Sequence, residues 1–368
     1  MHRLRKQITR LWVDLISLFR VAPRSGKTVY FDLHDIDTIQ NNSFGRLTYL
    51  LVMLFHENGY TICVRPNRYF MTSLPDLKFK KMILEFDPVI TWHRPGSSNQ
   101  LHISDRVRTG PFTNILLDYS EQFTADDFHR RIPMPYLMHP MIYHLGLHRA
   151  LQVLRETPTS IRLFFGGNLD PRLYDSTKIN ENYGKLTRIK VIETLRSGLD
   201  NRYKREIRNQ KDLQNLADGK HDGFSWISGP ELRLPAAEWM ALLARCDFFL
   251  ACPGVSKPMC HNCVEAMSVG TIPVLEYPEF FHPPLVHGIN CVVYDGEQDL
   301  LKKVNTLCSL DVQTINQLKQ GAIDYYETYL TPEAFGRTIA GLKAGDTIAF
   351  MASKIANVDQ RRLTQGRN

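Results

Sequence analysis

At 368 residues the chain exceeds one ordinary domain, and two domains of roughly 100–200 residues each are the expectation. A composition of 43% hydrophobic and 23% charged residues excludes a disordered chain and leaves enough apolar material for sizeable cores. The net charge of +7 is carried by the ends: residues 1–27 hold seven Lys/Arg against Asp14, residues 351–368 hold four against Asp359, and the body between holds 34 against 36 acids. A near-neutral body with basic ends excludes a surface built to track a nucleic acid.

The first segment, 1–27, contains "MHRLRKQITRLWVDLISLFR", with Leu4, Ile8, Leu11, Leu15 and Phe19 at helical spacing and Arg3, Arg5, Lys6, Arg10 and Arg20 around them. Such a basic amphipathic helix fits either a membrane interface with anionic head groups or a seat on the protein body. Its apolar run is short and contains Asp14, which excludes a spanning helix and argues against a cleaved leader. The expected location is the cytoplasm, with peripheral membrane contact through residues 1–20. Seven scattered cysteines fit reduced thiols in that compartment.

A first α/β domain is expected over 28–150. "TVYFDLHD" (28–35) reads as a buried strand, "IDTIQNNS" as a loop, and "FGRLTYLLVMLFHEN" as a helix with Ser43 as N-cap and Gly59 just past its end. "YTICVRP" is the next strand, so the unit is βαβ and the sheet parallel. Strands follow at "PVITWH" (88–93), "QLHIS" (100–104) and "TNILLDY" (113–119), and the Pro- and Met-rich 130–146 breaks the pattern. A second α/β domain is expected over 151–330. After the helix-like "LHRALQVLRE", the strand "SIRLFFGGN" (160–168) opens it, and later strands are "FSWIS" (224–228), "DFFLACPG" and "INCVVYD" (289–295). Residues 331–368 read as a C-terminal helix, begun by Thr331-Pro332-Glu333, and a tail.

The stretch "PGVSKPMCHNCVEAMSVGTIPVLEYPEF" (253–280) carries the chemistry. A strand ends in Pro-Gly, a polar loop follows, and a helix starts near 258–260 and stops at Gly270. Loops at the carboxyl ends of parallel strands are where open α/β sheets bind ligands. A helix start offers amides to an anion, Gly254 permits close backbone approach, and Lys257 adds charge. Glu265 shares a helical face with His261, and its two oxygens suit vicinal hydroxyls of a ribose. The other account of the same residues is an ordinary strand–helix–strand with a solvated glutamate.

Over about 240–305 the chain resembles the C-terminal, donor-binding half of GT-B fold glycosyltransferases and is more loosely similar to exostosin-type transferases. The resemblance rests on Glu265-Ala266-Met267, Gly270, Pro273-Val274 and Gly288-Ile289-Asn290. It implies two Rossmann-like α/β/α domains facing a cleft, with the acceptor on the first and the nucleotide-sugar donor on the second. It also implies Glu265 as ribose ligand and the amides around His261 and Asn262 as diphosphate contacts. Lys257 stands where many retaining members carry a second glutamate, which leaves inversion and retention both open. The turn "GGNLDPRLYDSTK" would then face the donor, with Gly166, Gly167 and Asn168 giving backbone approach and Arg172 or Lys178 the charge. Fixed cations and helix amides stabilise a departing diphosphate without a metal or other cofactor.

An inverting transfer needs a base near the attacking hydroxyl. His34, Asp35 and His93 stand at strand ends, and Asn42 and Gly45 begin the following helix. "CHNC" (260–263) has a C-x-x-C spacing but no second spaced pair, so a zinc site is not expected. His139, His144 and His148 lack the spacing of a zinc protease and read as structural. The expected activity is therefore a hexosyltransferase-like transfer, as in polysaccharide biosynthesis, from a nucleotide-sugar to a saccharide or lipid-linked acceptor. A nucleotide-sugar epimerase of the same fold, or a non-catalytic scaffold binding glycans or partners, are the alternatives.

Overall fold

The computed structural model describes residues 26–34, 42–67, 78–92, 100–106, 113–118, 131–175, 177–229, 232–255 and 257–349. They fall into two compact units, the first reaching Met134 and resumed from Pro332, the second running Pro135–Thr331. In the first unit β1 (Thr28–Asp32), α1 (Asn42–Glu57), β2 (Thr61–Val64), α2 (Lys78–Leu84), β3 (Val89–Ile90), β4 (Gln100–Ser104), β5 (Thr113–Asp118) and β6 (Arg131–Pro133) follow in order. α1 begins at Asn42, so Ser43 is inside the helix rather than its cap. Gly59, at φ 76°, ends the turn after it as expected.

The second unit starts with α3 (Pro140–His144), α4 (Leu151–Arg155), β7 (Ile161–Phe165), α5 (Pro171–Tyr174), α6 (Lys178–Tyr183) and α7 (Arg188–Gly198). It continues with β8 (Lys204–Ile207), α8 (Gln210–Asp218), β9 (His221–Ile227), α9 (Ala236–Ala244), β10 (Cys246–Leu250) and α10 (His261–Ser268). Last come β11 (Ile272–Leu275), β12 (Val292–Val293), α11 (Gly296–Leu307) and α12 (Val312–Tyr325). The chain then returns to the first unit with α13 (Pro332–Ala340) and β13 (Thr347–Ala349).

Both sheets are wholly parallel. The first has the order β3-β2-β1-β4-β5-β13-β6, the second β12-β11-β10-β7-β9-β8. Two Rossmann-like α/β units are therefore present. The strand order reverses between β1 and β4 in the first sheet and between β7 and β10 in the second. At such a reversal the loops on either side part and leave a crevice at the strands' carboxyl ends. Strands β1, β4 and β11 are buried at every position, the pattern of a sheet covered on both faces. In the second unit Leu163, Phe165, Phe248, Leu250, Ile272 and Val274 from the sheet pack with Val191, Leu195, Leu300 and Val304 from α7 and α11.

The sequence reading differs from the structure at several edges. β7 stops at Phe165, β12 is two residues long, and "LHRALQVLRE" splits into a 3₁₀ turn (Leu147–Arg149) and α4. β6, β8 and β13 were not foreseen. β13 lies between β5 and β6, with Ile348 level with Leu117 and Ile132. Its three residues follow a turn and carry too short a pattern to be read locally. The N-terminal 1–25 and the residues beyond 349 lie outside the described residues. Among those described, no helix is long and apolar enough to cross a membrane.

Ile348 has no exposed surface. Ile348→Ala is expected to cost about 2–4 kcal/mol in urea denaturation, because it empties a site between two strands rather than at an edge. An unchanged midpoint would show that β13 contributes nothing to the first sheet.

Candidate functional site

At the reversal of the second sheet, the loop after β7, the end of β9 and the starts of α9 and α10 enclose a cavity of about 860 Å³. Its lining includes Gly166, Gly167, Asn168, Arg172, His261, Asn262 and Glu265, all nominated from sequence, together with His139, Ser228, Gly229, Arg233 and Trp239.

Glu265 is not the solvated residue that an ordinary helix would carry; it is 2% exposed. One carboxylate oxygen accepts from the His139 backbone amide (2.9 Å) and the other from Trp239 Nε1 (2.7 Å). The acid thus joins α10 to α9 and to the turn at His139. His139 caps α3, its Nδ1 accepting from the Met141 amide (3.2 Å), and its ring lies 5.2 Å from that of His261. Its sequence signal was the His-Pro step before a short helix, which marks a cap and not a ligand.

No side chain caps the start of α10, where Cys260 is extended, so its first amides are left to other partners. Asn262 Nδ2 donates to the Gly166 carbonyl (3.0 Å), fixing this start against the loop after β7. Gly166 has its own packing reason: a Cβ would sit 2.6 Å from the Trp239 ring. At Gly167 a Cβ would meet Phe165 at 3.2 Å and Arg188 Nη1 at 3.3 Å. Gly254 serves its own turn, its amide donating to the Lys257 carbonyl (3.0 Å) where a Cβ would stand 2.7 Å from that oxygen.

Gly254, Lys257 and Lys178 are not among the residues that line the cavity, and Lys178 is exposed on α6. Arg172 lines it but is 88% exposed and pairs bidentately with Asp170 (2.9 and 2.7 Å). Those hydrogen bonds hold the Asp170 carboxyl below its usual range. All seven cysteines are free, and burial pushes the Cys252 and Cys263 thiols well up. No group of three or more His, Cys, Asp or Glu among the described residues is arranged to hold a metal ion.

The first sheet's reversal carries a second polar cluster. Asp32, fully buried at the end of β1, lies 3.0 Å from His34 Nε2, 3.4 Å from Arg65 Nε and 3.7 Å from His102 Nε2. Arg65 Nη1 donates to His34 Nδ1 (2.6 Å), and the His34 amide donates to Asp105 (2.6 Å). The same Nη1 stands 3.2 Å from Nε2; a neutral ring with its lone pair at Nδ1 and its proton on Nε2 suits both the shorter Arg65 contact and Asp32. Burial is the main cause that lowers the His34 pKa; Arg65 and Arg106 add to it, against Asp32 and Asp105. Arg65 also lies over the ring of Trp92 (5.3 Å), which is 58% exposed. Asp32, Arg65 and His102 were missed because strand-end polar residues look alike until the sheet order places them together. Gly45 lies in the first turn of α1 and Asn42 begins that helix, while Asp35 and His93 lie outside the described residues.

No known family's sequence profile matches the chain, and neither does any curated protein sequence. Among solved structures it is similar to HepE of Anabaena, solved with UDP, at 13% identity and a TM-score of 0.40, over 86% of this chain and 98% of that one. It is also similar to WaaG, described as a glycosyltransferase involved in lipopolysaccharide biosynthesis, at 11% identity and a TM-score of 0.36, over 85% and 100% of the two chains. A third is the wall teichoic acid polymerase TagF, at 10% identity and a TM-score of 0.30, over 99% and 96%. The likeness is one of fold.

Gly166→Ala is expected to cost about 1–3 kcal/mol and to shift tryptophan emission, since the indole must move to admit the methyl group. In NMR titration His34 is expected to titrate below the usual 6.5; Asp32→Asn should move the midpoint further down and Arg65→Met up. A His34 midpoint above 6.5 would contradict the account of its surroundings.

Proposed function

We propose that the chain is a glycosyltransferase that moves a sugar from a nucleotide-sugar donor to a hydroxyl acceptor. The observation that carries this reading is that residues nominated from two separate segments, 166–172 and 261–265, line one cavity at the second sheet's reversal. A nucleoside diphosphate needs three things there: backbone approach, a helix start, and an acceptor for ribose hydroxyls. The glycine loop after β7, the start of α10 and the carboxylate of Glu265 supply them. As the donor bond breaks, charge grows on the diphosphate, and the amides at the start of α10 and in the loop after β7 stabilise it without a metal. The sequence resemblance over about 240–305 supports the same assignment.

On the acceptor side His34 is the base. A substrate hydroxyl that takes the place of Arg65 at Nδ1 meets a neutral imidazole, and Asp32 stabilises the imidazolium formed when the proton moves. Exposed Trp92 beside Arg65 gives an apolar face for a saccharide acceptor. The basic N-terminal segment would hold the enzyme at the cytoplasmic membrane surface near a lipid-linked glycan.

Thermal melting against UDP, GDP, ADP, CMP and dTDP is the first test, since a ligand that binds only the folded state raises Tm. At least one should raise it. The matching nucleotide-sugar with an acceptor panel should then give a disaccharide product. Glu265→Gln is expected to raise donor KM about tenfold or more, and His34→Asn to lower kcat about 100-fold with donor KM kept. Wild-type kinetics in both variants would sink the assignment, and epimer formation from donor alone would replace it with the epimerase.

A further inference from the structure

Cys260 and Cys263, the two cysteines of the C-x-x-C spacing, take no part in that chemistry, and they share one turn. Cys260 is extended and half-buried at the N-cap of α10; Cys263, in the first turn of the same helix, has no exposed surface. The Cys263 amide donates to the Cys260 carbonyl (3.1 Å). A turn closed in this way brings its end Cα atoms within about 7 Å, and a disulfide spans about 4.4–6.8 Å between Cα atoms. A C-x-x-C pair that follows a strand and begins a helix has the placement of a dithiol exchange site.

The surroundings of the pair suit exchange. Arg188, buried at the start of α7, donates from Nε to the Pro253 carbonyl (3.0 Å) and from Nη1 to the Asn168 carbonyl (3.1 Å). Those bonds hold its Nη2 at 3.7 Å from the Cys260 sulfur. Negative charge that grows on this sulfur during exchange falls beside a permanent cation and at the amide end of a helix. The Cys260 thiol itself donates to Asn262 Oδ1 (3.5 Å). On the inner side stands Tyr277, fully buried, whose hydroxyl has no hydrogen-bond partner among the described residues. Burial pushes its phenol pKa up, and Cys263, Cys260 and Cys252 add to that, so an O–H able to donate lies among the sulfurs. Burial likewise pushes the Cys263 thiol well up, with Cys260 and Cys291 adding to it. Cys260 is thus the outer thiol that meets a reagent, and Cys263 the inner one that completes the exchange.

We propose that Cys260 and Cys263 form a reversible dithiol site that exchanges with a low-molecular-weight disulfide of the glutathione type. The Cys260 sulfur, its proton passing to solvent, attacks one sulfur of the reagent; the reagent S–S bond breaks and one thiol leaves. Cys263 then gives up its proton and attacks the Cys260 sulfur, and the second reagent thiol leaves. The protein pair is oxidised by two electrons, the reagent is reduced to two thiols, and the two protons given up are taken by them. Closing the ring takes away the thiol hydrogen that Asn262 accepts, and Asn262 lines the cavity of the second unit and donates to the Gly166 carbonyl. A transient bond of this kind is compatible with a reducing compartment. The site stands whether or not that cavity binds a donor.

The test is a titration of the full chain with stepped ratios of glutathione disulfide to glutathione, after which free thiols are alkylated and counted by mass. The wild type should lose two thiols in one step and regain both in dithiothreitol. Cys260→Ser, which leaves a favoured cap residue at the helix start, should abolish that step. Cys263→Ala should instead hold one glutathione on the peptide that carries Cys260, and Cys252→Ala should keep the paired loss. No paired loss in the wild type, or one that survives Cys260→Ser, overturns the proposal. So does a paired loss abolished by Cys252→Ala in a protein that still melts cooperatively, which would put the bond at Cys252 instead. Because Cys263→Ala empties a buried position and can fail to fold, the wild type and Cys260→Ser are enough to decide.

Discussion

The carboxylate of Glu265 is the contact through which the cavity of the second unit is assembled. It is buried on an eight-residue helix and accepts one hydrogen bond from an indole on α9 and one from a main-chain amide at His139. Buried polar groups must be satisfied, and an acceptor removed here leaves two donors without their partner at once. The rest of the cavity follows from this anchor. Trp239, held by Glu265, requires Gly166 to lack a side chain, and the Gly166 carbonyl in turn receives Asn262 from the start of the same helix. Three segments distant in sequence are closed into a ring by short hydrogen bonds and one tight ring contact.

The same logic recurs in the first unit with different chemistry. Each parallel sheet has a reversal near its middle, and a polar cluster stands at each. In the second unit it surrounds a cavity; in the first it is a buried carboxylate flanked by two imidazoles and a guanidinium. Parallel strands bring their carboxyl ends to one edge, so residues just after β1, β2 and β4 meet without any local pairing signal. Burial and the two arginines that His34 faces lower its pKa, against Asp32 and Asp105.

Legibility in the sequence tracked the range of the interactions. Strands β1, β2, β4, β5 and β10 and helices α1, α7, α9 and α10 were readable because buried strands show apolar runs and these helices show periodic ones. The glycine loop, the helix start and Glu265 were readable because their residue types and spacing are local. What escaped depended on tertiary placement. β13 is specified by the gap between β5 and β6 rather than by its own three residues. Arg188 looked like any helix-start arginine, while exposed Arg172 and Lys178 looked equally suitable as cations. Gly254 was read as a site for ligand approach, yet its own turn already requires a glycine. His139 was set aside as structural; it is indeed a cap, and the same residue reaches the cavity through its bond to Glu265.

The central claim is that the crevice at the second sheet's reversal holds the nucleotide handle of an activated sugar. Its most direct test is a crystal of the full chain grown with the nucleoside diphosphate that binds it. The phosphates should lie between the loop after β7 and the start of α10, with the ribose within hydrogen-bond distance of Glu265. Phosphates bound at any other place, with this cavity vacant, would contradict the account.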